Sequence, residues 1–254
     1  MDKASDSFIS FIDSDDYIEA STYEEVLEIM KDQNVDLVNY GRIVHEKENV
    51  SISKNKNSKI TNVEALLHFF TGDGQVTPMV WDKIYQKKVF DENLRFKEKV
   101  TIEDKEIMPR ILERCDKVFV MDKALYHYVR REGSITRTKN FNPTMYRYLE
   151  SLKDYEKMCK SKYIELLSYF YYYEMKCYYG MLKELARCMD HKRYVKYEIV
   201  LRYNAIKAVL KCIIRTEIRK QYKNQIKEIL VNSILGIELT NKILNKRNKA
   251  IDSV

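Results

Sequence analysis

Phe8-Ile9-Ser10-Phe11-Ile12-Asp13-Ser14-Asp15-Asp16-Tyr17-Ile18 is a short apolar run that stops abruptly in acid. The apolar half reads as a buried strand, and the acidic half as a loop at its carboxyl end. Three carboxylates within four positions at a strand end make a compact, hard-oxygen group suited to Mg²⁺ or Mn²⁺, ions that in turn clamp phosphate oxygens. On composition alone the same run also serves as a turn or a helix cap.

Downstream of it, Thr22 or Ser21 can cap a helix to about Lys31, with Val26, Leu27 and Met30 on one face and Glu24 and Glu25 in the first turn. Residues 35–44 read as a second strand, and 45–59, rich in Lys, Asn, Ser and Glu, as an exposed loop or irregular hairpin. Asn62 is expected to cap a short helix over 63–70 that Gly72-Asp73-Gly74 ends, and residues 79–85 around Trp81 to be extended. The β-branched and aromatic segments 117–121 and 124–130 predict a hairpin turning at Asp122-Lys123.

From Asn142 the apolar residues recur at three- and four-residue spacing, as in Tyr148, Leu149, Leu152, Tyr155 and again in Val200, Leu201, Ala205, Val209, Leu210, Ile213. That periodicity predicts several antiparallel helices with breaks near 215–219 and at Gly236. The tyrosines at 169, 171–173, 178 and 179 read as helix-to-helix packing, with an interfacial membrane role as the alternative.

A chain of 254 residues with 45% hydrophobic content buries a real core, and only 6 Gly and 3 Pro favour long helices over a turn-dense all-β fold. Charge is unevenly placed. Lys/Arg against Asp/Glu number 21 and 26 over 1–138, but 24 and 12 over 139–254. A basic helical region is a solvated surface, or a patch for anionic lipid, phosphate-bearing substrate or nucleic acid. No helix-turn-helix, RNA-recognition or zinc pattern accompanies the charge, so nucleic acid is not an expected partner. The five cysteines occur singly without a C-x-x-C pair, which supports neither a zinc site nor a disulfide framework and points to a reducing cytoplasm. No apolar run reaches the ~18–20 residues of a membrane span.

Four further motifs follow the acidic strand in order. They are Val80-Trp81-Asp82-Lys83-Ile84-Tyr85, Phe90-Asp91 with Leu94-Arg95-Phe96, Ile102-Glu103-Asp104, and Leu125 to Thr136 with its Arg130-Arg131-Glu132-Gly133-Ser134-Ile135. In that order the set resembles bacterial family 2 glycosyltransferases of the GT-A fold. There the strand delivers a D-x-D motif, and W-[ND]-K-[LI]-Y, F-x-x-x-[IL]-R-F, E-D and R-x-G-S-[IV] segments follow. The resemblance implies an α/β fold: a partial GT-A (nucleotide-diphospho-sugar transferase) sheet over 1–138, with a basic α-helical extension over 139–254.

It also implies roles. Asp13 and Asp15 match the D-x-D pair, which would hold Mn²⁺ or Mg²⁺ beneath the diphosphate of a nucleotide-sugar donor. Asp104 matches the base that deprotonates the acceptor hydroxyl, with Glu103 supporting it. Trp81 would offer an aromatic platform to the acceptor, and Arg131, with Arg130 beside it, would meet the diphosphate leaving group. Other readings of the same residues stay open at this level: Glu103 and Asp104 as complements of a helix dipole, Trp81 as a core ring, Arg130 and Arg131 as a solvated pair. Of the histidines, only His127, beside the arginines, is a candidate metal or phosphate neighbour.

The implied activity is transfer of a sugar from a nucleotide-sugar to a glycan or lipid-linked acceptor in cell-surface polysaccharide synthesis, in the cytoplasm or peripherally at the inner face of the membrane. In intact relatives some 80–90 residues precede the D-x-D strand, whereas seven precede Phe8 here. The expectation is therefore a chain truncated at its donor-binding half, impaired by itself, and completed by another chain or by self-association. The alternative is a non-catalytic module that meets a membrane or partner through its basic helices. Val129, Arg131 and Pro109 depart from the family pattern.

Overall fold

The computed structural model describes residues 4–47, 49–53, 55–90, 94–130, 141–188, 191–236 and 242. The chain divides into two compact units, residues 1–135 and 136–254.

The first unit is a seven-stranded sheet with three helices. Its elements are β1 (Phe8–Ser10), β2 (Tyr17–Ile18), α1 (Thr22–Gln33), β3 (Leu37–Glu46), β4 (Asn49–Ser53), β5 (Ser58–Thr61), α2 (Asn62–Thr71), β6 (Lys83–Gln86), α3 (Glu103–Leu112) and β7 (Lys117–Val129). The strand order is β1-β6-β3-β7-β2, with β4 hydrogen-bonded to β3 and β5 to β7. β3 and β7 run parallel and the other pairs antiparallel. Residues 117–129 are thus one continuous strand rather than the expected hairpin. Asp122 and Lys123 sit where the β3–β7 register slips around Gly41, so their exposure comes from an irregularity in the ladder and not from a turn. Gly41 fits there because a Cβ would lie 2.2 Å from the Ser53 carbonyl oxygen.

The polar stretch after Val44 is more regular than its composition predicts. β3 continues to Glu46, and β4 pairs back on it with all five residues exposed. A two-stranded extension held by backbone bonds needs no apolar periodicity, which hides it from a pattern reading. Thr61, not Asn62, caps α2: the Glu64 N–H donates to the Thr61 hydroxyl while the Glu64 carboxylate accepts from the Thr61 N–H at 2.8 Å. The helix ends on Gly72 in the left-handed region, as the Gly-Asp-Gly signal predicts. α3 runs through Pro109, which removes one hydrogen bond from the last turn while Glu113 N–H still reaches the Pro109 carbonyl at 3.0 Å.

Val26 and Met30 of α1 pack on Val38 and Tyr40 of β3, Ile84 of β6 and Met121, Leu125 and Tyr126 of β7, with Trp81 in the same cluster. This layer fixes where the loops at the strand ends stand.

The second unit is helical. It comprises a 3₁₀ segment (Pro143–Ser151) running into α4 (Leu152–Lys162), then α5 (Leu167–Arg187), α6 (Val195–Ile213), α7 (Thr216–Gln221) and α8 (Lys223–Leu235). The tyrosines of α5 pack helix on helix. Tyr172 stacks on Tyr222 with centroids 3.9 Å apart, Tyr179 Oη accepts from the Asn232 side chain at 2.7 Å, and the Tyr173 and Tyr148 hydroxyls are bonded to each other. Among the described residues no helix is long and apolar enough to cross a membrane.

Candidate active site

The acidic loop between β1 and β2 is tied down by β7. Asp16 N–H donates to the Asp13 carbonyl at 3.1 Å, closing the turn. The Asp16 carboxylate accepts from the Tyr126 hydroxyl and from Val129 N–H, both at 2.8 Å. Tyr126 Oη in turn accepts from Asp13 N–H at 3.2 Å. Asp16 is therefore the staple of the loop, with both carboxylate oxygens engaged. Asp13 and Asp15 are left exposed at its tip.

A second pair of carboxylates comes from α3. Glu103 and Asp104 occupy its first two positions, so the helix N-terminus favours their charge. Asp104 is nonetheless pushed up to about 7, first by burial and then by the Glu103 carboxylate; Val80 N–H and the Lys83 ammonium oppose this, and Asp13 adds to it. Asp13, though exposed to solvent on one side, is raised in its turn by partial desolvation and by the charges of Asp16, Asp15 and Glu103. The two motifs, remote in sequence, thus share one electrostatic site. Neighbouring like charges contribute to the rise at both Asp13 and Asp104.

A buried ion-pair network positions the peptide that faces Asp104. The Lys83 ammonium is fully buried and donates to the Met79 carbonyl at 2.6 Å, to Thr77 Oγ1 at 2.7 Å and to Asp82 Oδ1 at 2.6 Å. Thr77 Oγ1 donates to the Asp82 carboxylate, and Arg42 Nη1 stands 3.6 Å from Asp82 Oδ2. The Met79 C=O and the Val80 N–H belong to one peptide unit. That unit therefore takes a cation at its oxygen and presents its N–H to the Asp104 carboxylate. Tyr85 Oη donates to the Val80 carbonyl at 3.0 Å and Tyr40 Oη to the Trp81 carbonyl at 3.2 Å, which fixes the rest of the turn. Burial pulls Lys83 below the usual lysine range, and Asp82 pulls the other way.

The expected positions fare differently. Asp13, Glu103 and Asp104 come together, with Asp15 adjacent on the same loop. Trp81 is only 6% exposed, its ring stacked against Tyr126 and Tyr128, so its ring faces serve the core rather than an acceptor. Arg130 pairs with Glu46 at 2.7 Å. Arg131 lies outside the described residues. His127 bridges Glu19 at 2.7 Å and His45 at 2.8 Å and stacks on Tyr17. Residues missed by sequence reading are Thr77, Lys83 and Tyr126. The W-D-K segment signalled Lys83 by an unusual lysine in an apolar run, but its burial and its role follow only from the turn that wraps it.

The donor set at the loop tip is all carboxylate, a chemistry that fits a hard divalent cation. Among the described residues no three His, Cys, Asp or Glu side chains are grouped to hold a metal ion. Such an ion would thus draw its remaining ligands from a phosphate-bearing substrate and water, the usual manner of Mg²⁺.

Residues 1–94 match the sequence model of the family described as glycosyl transferase family 2. The front of the chain is thus similar in sequence to family 2 glycosyltransferases. No curated protein is significantly similar to the chain in sequence. Among solved structures, S. aureus TarS 1-349 in complex with UDP-GlcNAc matches with a TM-score of 0.52 at 15% identity, over 88% of this chain and 70% of that one. The S. aureus TarS structure without that restriction matches with the same TM-score and identity over 87% of this chain but 41% of its own length. At such identity the likeness is one of fold, and it agrees with the GT-A expectation for the α/β unit. The family match ends before Glu103 and Asp104, so their placement rests on the geometry above.

Proposed function

We propose that this glycosyltransferase site transfers a sugar from a nucleoside-diphosphate donor to a hydroxyl of a glycan or lipid-linked acceptor, in the making of a cell-surface polysaccharide. The observation that carries the reading is the meeting of Asp13 and Asp104 in one carboxylate site, with Asp104 poised at about 7. The TarS structure in complex with UDP-GlcNAc supports a nucleotide-sugar donor.

Asp15 and Asp13 would hold Mn²⁺ or Mg²⁺, which would supply Lewis-acid stabilisation of the departing nucleoside diphosphate. Asp104 accepts the proton of the acceptor hydroxyl as that oxygen bonds to the anomeric carbon and the carbon–phosphate oxygen bond breaks. A carboxylate near 7 is a stronger base than an ordinary aspartate and still largely ionised above neutrality. The Val80 N–H, backed by Lys83, aims its oxygens. Glu103, whose charge raises Asp104, favours movement of the acceptor hydroxyl's proton onto the Asp104 carboxylate. Arg130, released from Glu46, would meet the leaving diphosphate.

Calorimetry of UDP with the purified chain tests the donor side. Binding is expected with Mn²⁺ present and absent without it, and Asp15→Ala is expected to weaken it at least about tenfold, the loss of one charge-assisted metal ligand. Equal binding by the Asp15→Ala protein would remove the metal-clamp assignment.

A further inference from the structure

The two long faces of α6 are both apolar. Leu201, Ala205, Ala208, Val209 and Cys212 are buried against the helical unit. On the other side Val195, Ile199, Tyr203, Leu210 and Ile214 are 47–76% exposed, and Ile206 completes a series spaced by four, four, three, four and four residues. At 1.5 Å per residue this is a continuous outward stripe roughly 28 Å long. Scattered exposed apolar residues need no explanation, but a stripe of six along one helix marks a contact surface.

Charge decides between occupants. Over residues 195–235 the chain has nine Lys or Arg and three Glu. Of the acids, Glu198 is paired with Arg202 and Glu217 accepts from the Tyr169 hydroxyl at 2.5 Å. Lys211 is also used internally, on Glu174 at 2.9 Å. Lys196 and Lys207, by contrast, are exposed and border the stripe. A second copy laid on this face would set lysine against lysine along the seam. Nucleic acid would match the lysines but leaves six large apolar side chains without a role. An anionic bilayer meets both features, taking the stripe into the acyl boundary and the lysines at the headgroups.

We infer that the outer face of α6 docks flat on the surface of an anionic lipid bilayer, with Val195, Ile199, Tyr203, Ile206, Leu210 and Ile214 inserted and Lys196 and Lys207 at the headgroup level. The assignment is independent of the glycosyl-transfer reading and would bring a soluble-faced unit to a lipid-linked acceptor.

Co-sedimentation of the full chain tests it, using vesicles of phosphatidylcholine alone and of phosphatidylcholine with phosphatidylglycerol. The chain is expected to pellet with the anionic vesicles, much less with the neutral ones, and less as salt rises. Ile199→Asp with Leu210→Asp is expected to cut the bound fraction about tenfold or more, and Lys196→Glu with Lys207→Glu to weaken it and flatten its salt dependence. All these residues are exposed, so the variants are expected to keep the native circular dichroism. Sedimentation velocity without lipid is expected to show no self-association that the Asp variant abolishes. Binding unchanged by the Asp variant, binding equal on neutral vesicles, or a dimer that the Asp variant dissolves would each overturn the assignment.

Discussion

Replacing Asp104 by Asn is expected to do two opposite things: lower sugar transfer by about 10²–10⁴-fold and make the protein more stable at pH 8. The activity loss follows from removing the base that the proposed mechanism assigns to the acceptor hydroxyl. The stability gain follows from linkage. Asp104 ionises near its ordinary 3.8 in the unfolded chain and at about 7 in the folded one. Between those values the folded protein binds the extra proton, so stability falls as pH rises through the window and is lowest above 7. Asn carries no such penalty. The gain at pH 8 should be roughly 2–4 kcal/mol and should vanish below about pH 4, where the acid is neutral in both states. Urea unfolding of both proteins at pH 8 and pH 4 measures it. A residue that only complements the α3 dipole would behave in reverse, losing stability on neutralisation.

Lys83→Met carries the largest expected cost in stability. The substitution leaves Asp82 buried with Thr77 and a more distant Arg42 for company, and it leaves the Met79 carbonyl without its cation. Breaking a buried pair on one side costs about 3–5 kcal/mol, most of it from the charge left behind. The double variant Asp82→Asn with Lys83→Met should recover a large part of that, because no bare carboxylate remains. Thermal or urea unfolding of the single and double variants checks both statements. Equal destabilisation in the two would mean that packing, and not the stranded charge, sets the cost.

The legibility of this molecule in its sequence follows the reach of each pattern. The β1 run was only partly readable: the strand is confined to Phe8–Ser10, where it pairs with β6 and buries Ile9 alone, while Phe8 and Ile12 are exposed, so the apolar run overstated both its length and its burial. The helices after Asn142 were readable because their periodicity is long, and Gly72 marked the end of α2. The hairpin at 117–130 was misread because Asp122-Lys123 looks like turn chemistry, whereas the residue that permits the register slip is Gly41, far away in sequence. β4 was only half readable, since an exposed ribbon carries no hydrophobic alternation. Motif order singled out Asp13, Glu103 and Asp104, which the fold brings into electrostatic contact, but not that Asp16 staples the loop, nor that the Met79–Val80 peptide lies between Lys83 and Asp104. Those are facts of tertiary placement. Trp81 shows the limit from the other side: an aromatic in a motif is equally a platform or a core ring, and here burial assigns the ring faces to the core.

The α6 stripe was also half visible. Apolar spacing announced a helix, and the charge imbalance announced a basic surface. That the helix carries two apolar faces, one of them outward, required knowing which side meets α5.

The central claim is that Asp104 sits in a crowded carboxylate site as a base poised at neutrality. Carbon-13 NMR of the aspartate side-chain carboxyls, titrated without divalent cations and with Asp104→Asn to assign the resonance, measures it directly. The account predicts an inflection for Asp104 close to pH 7. An inflection in the ordinary aspartate range, near 4, would contradict it.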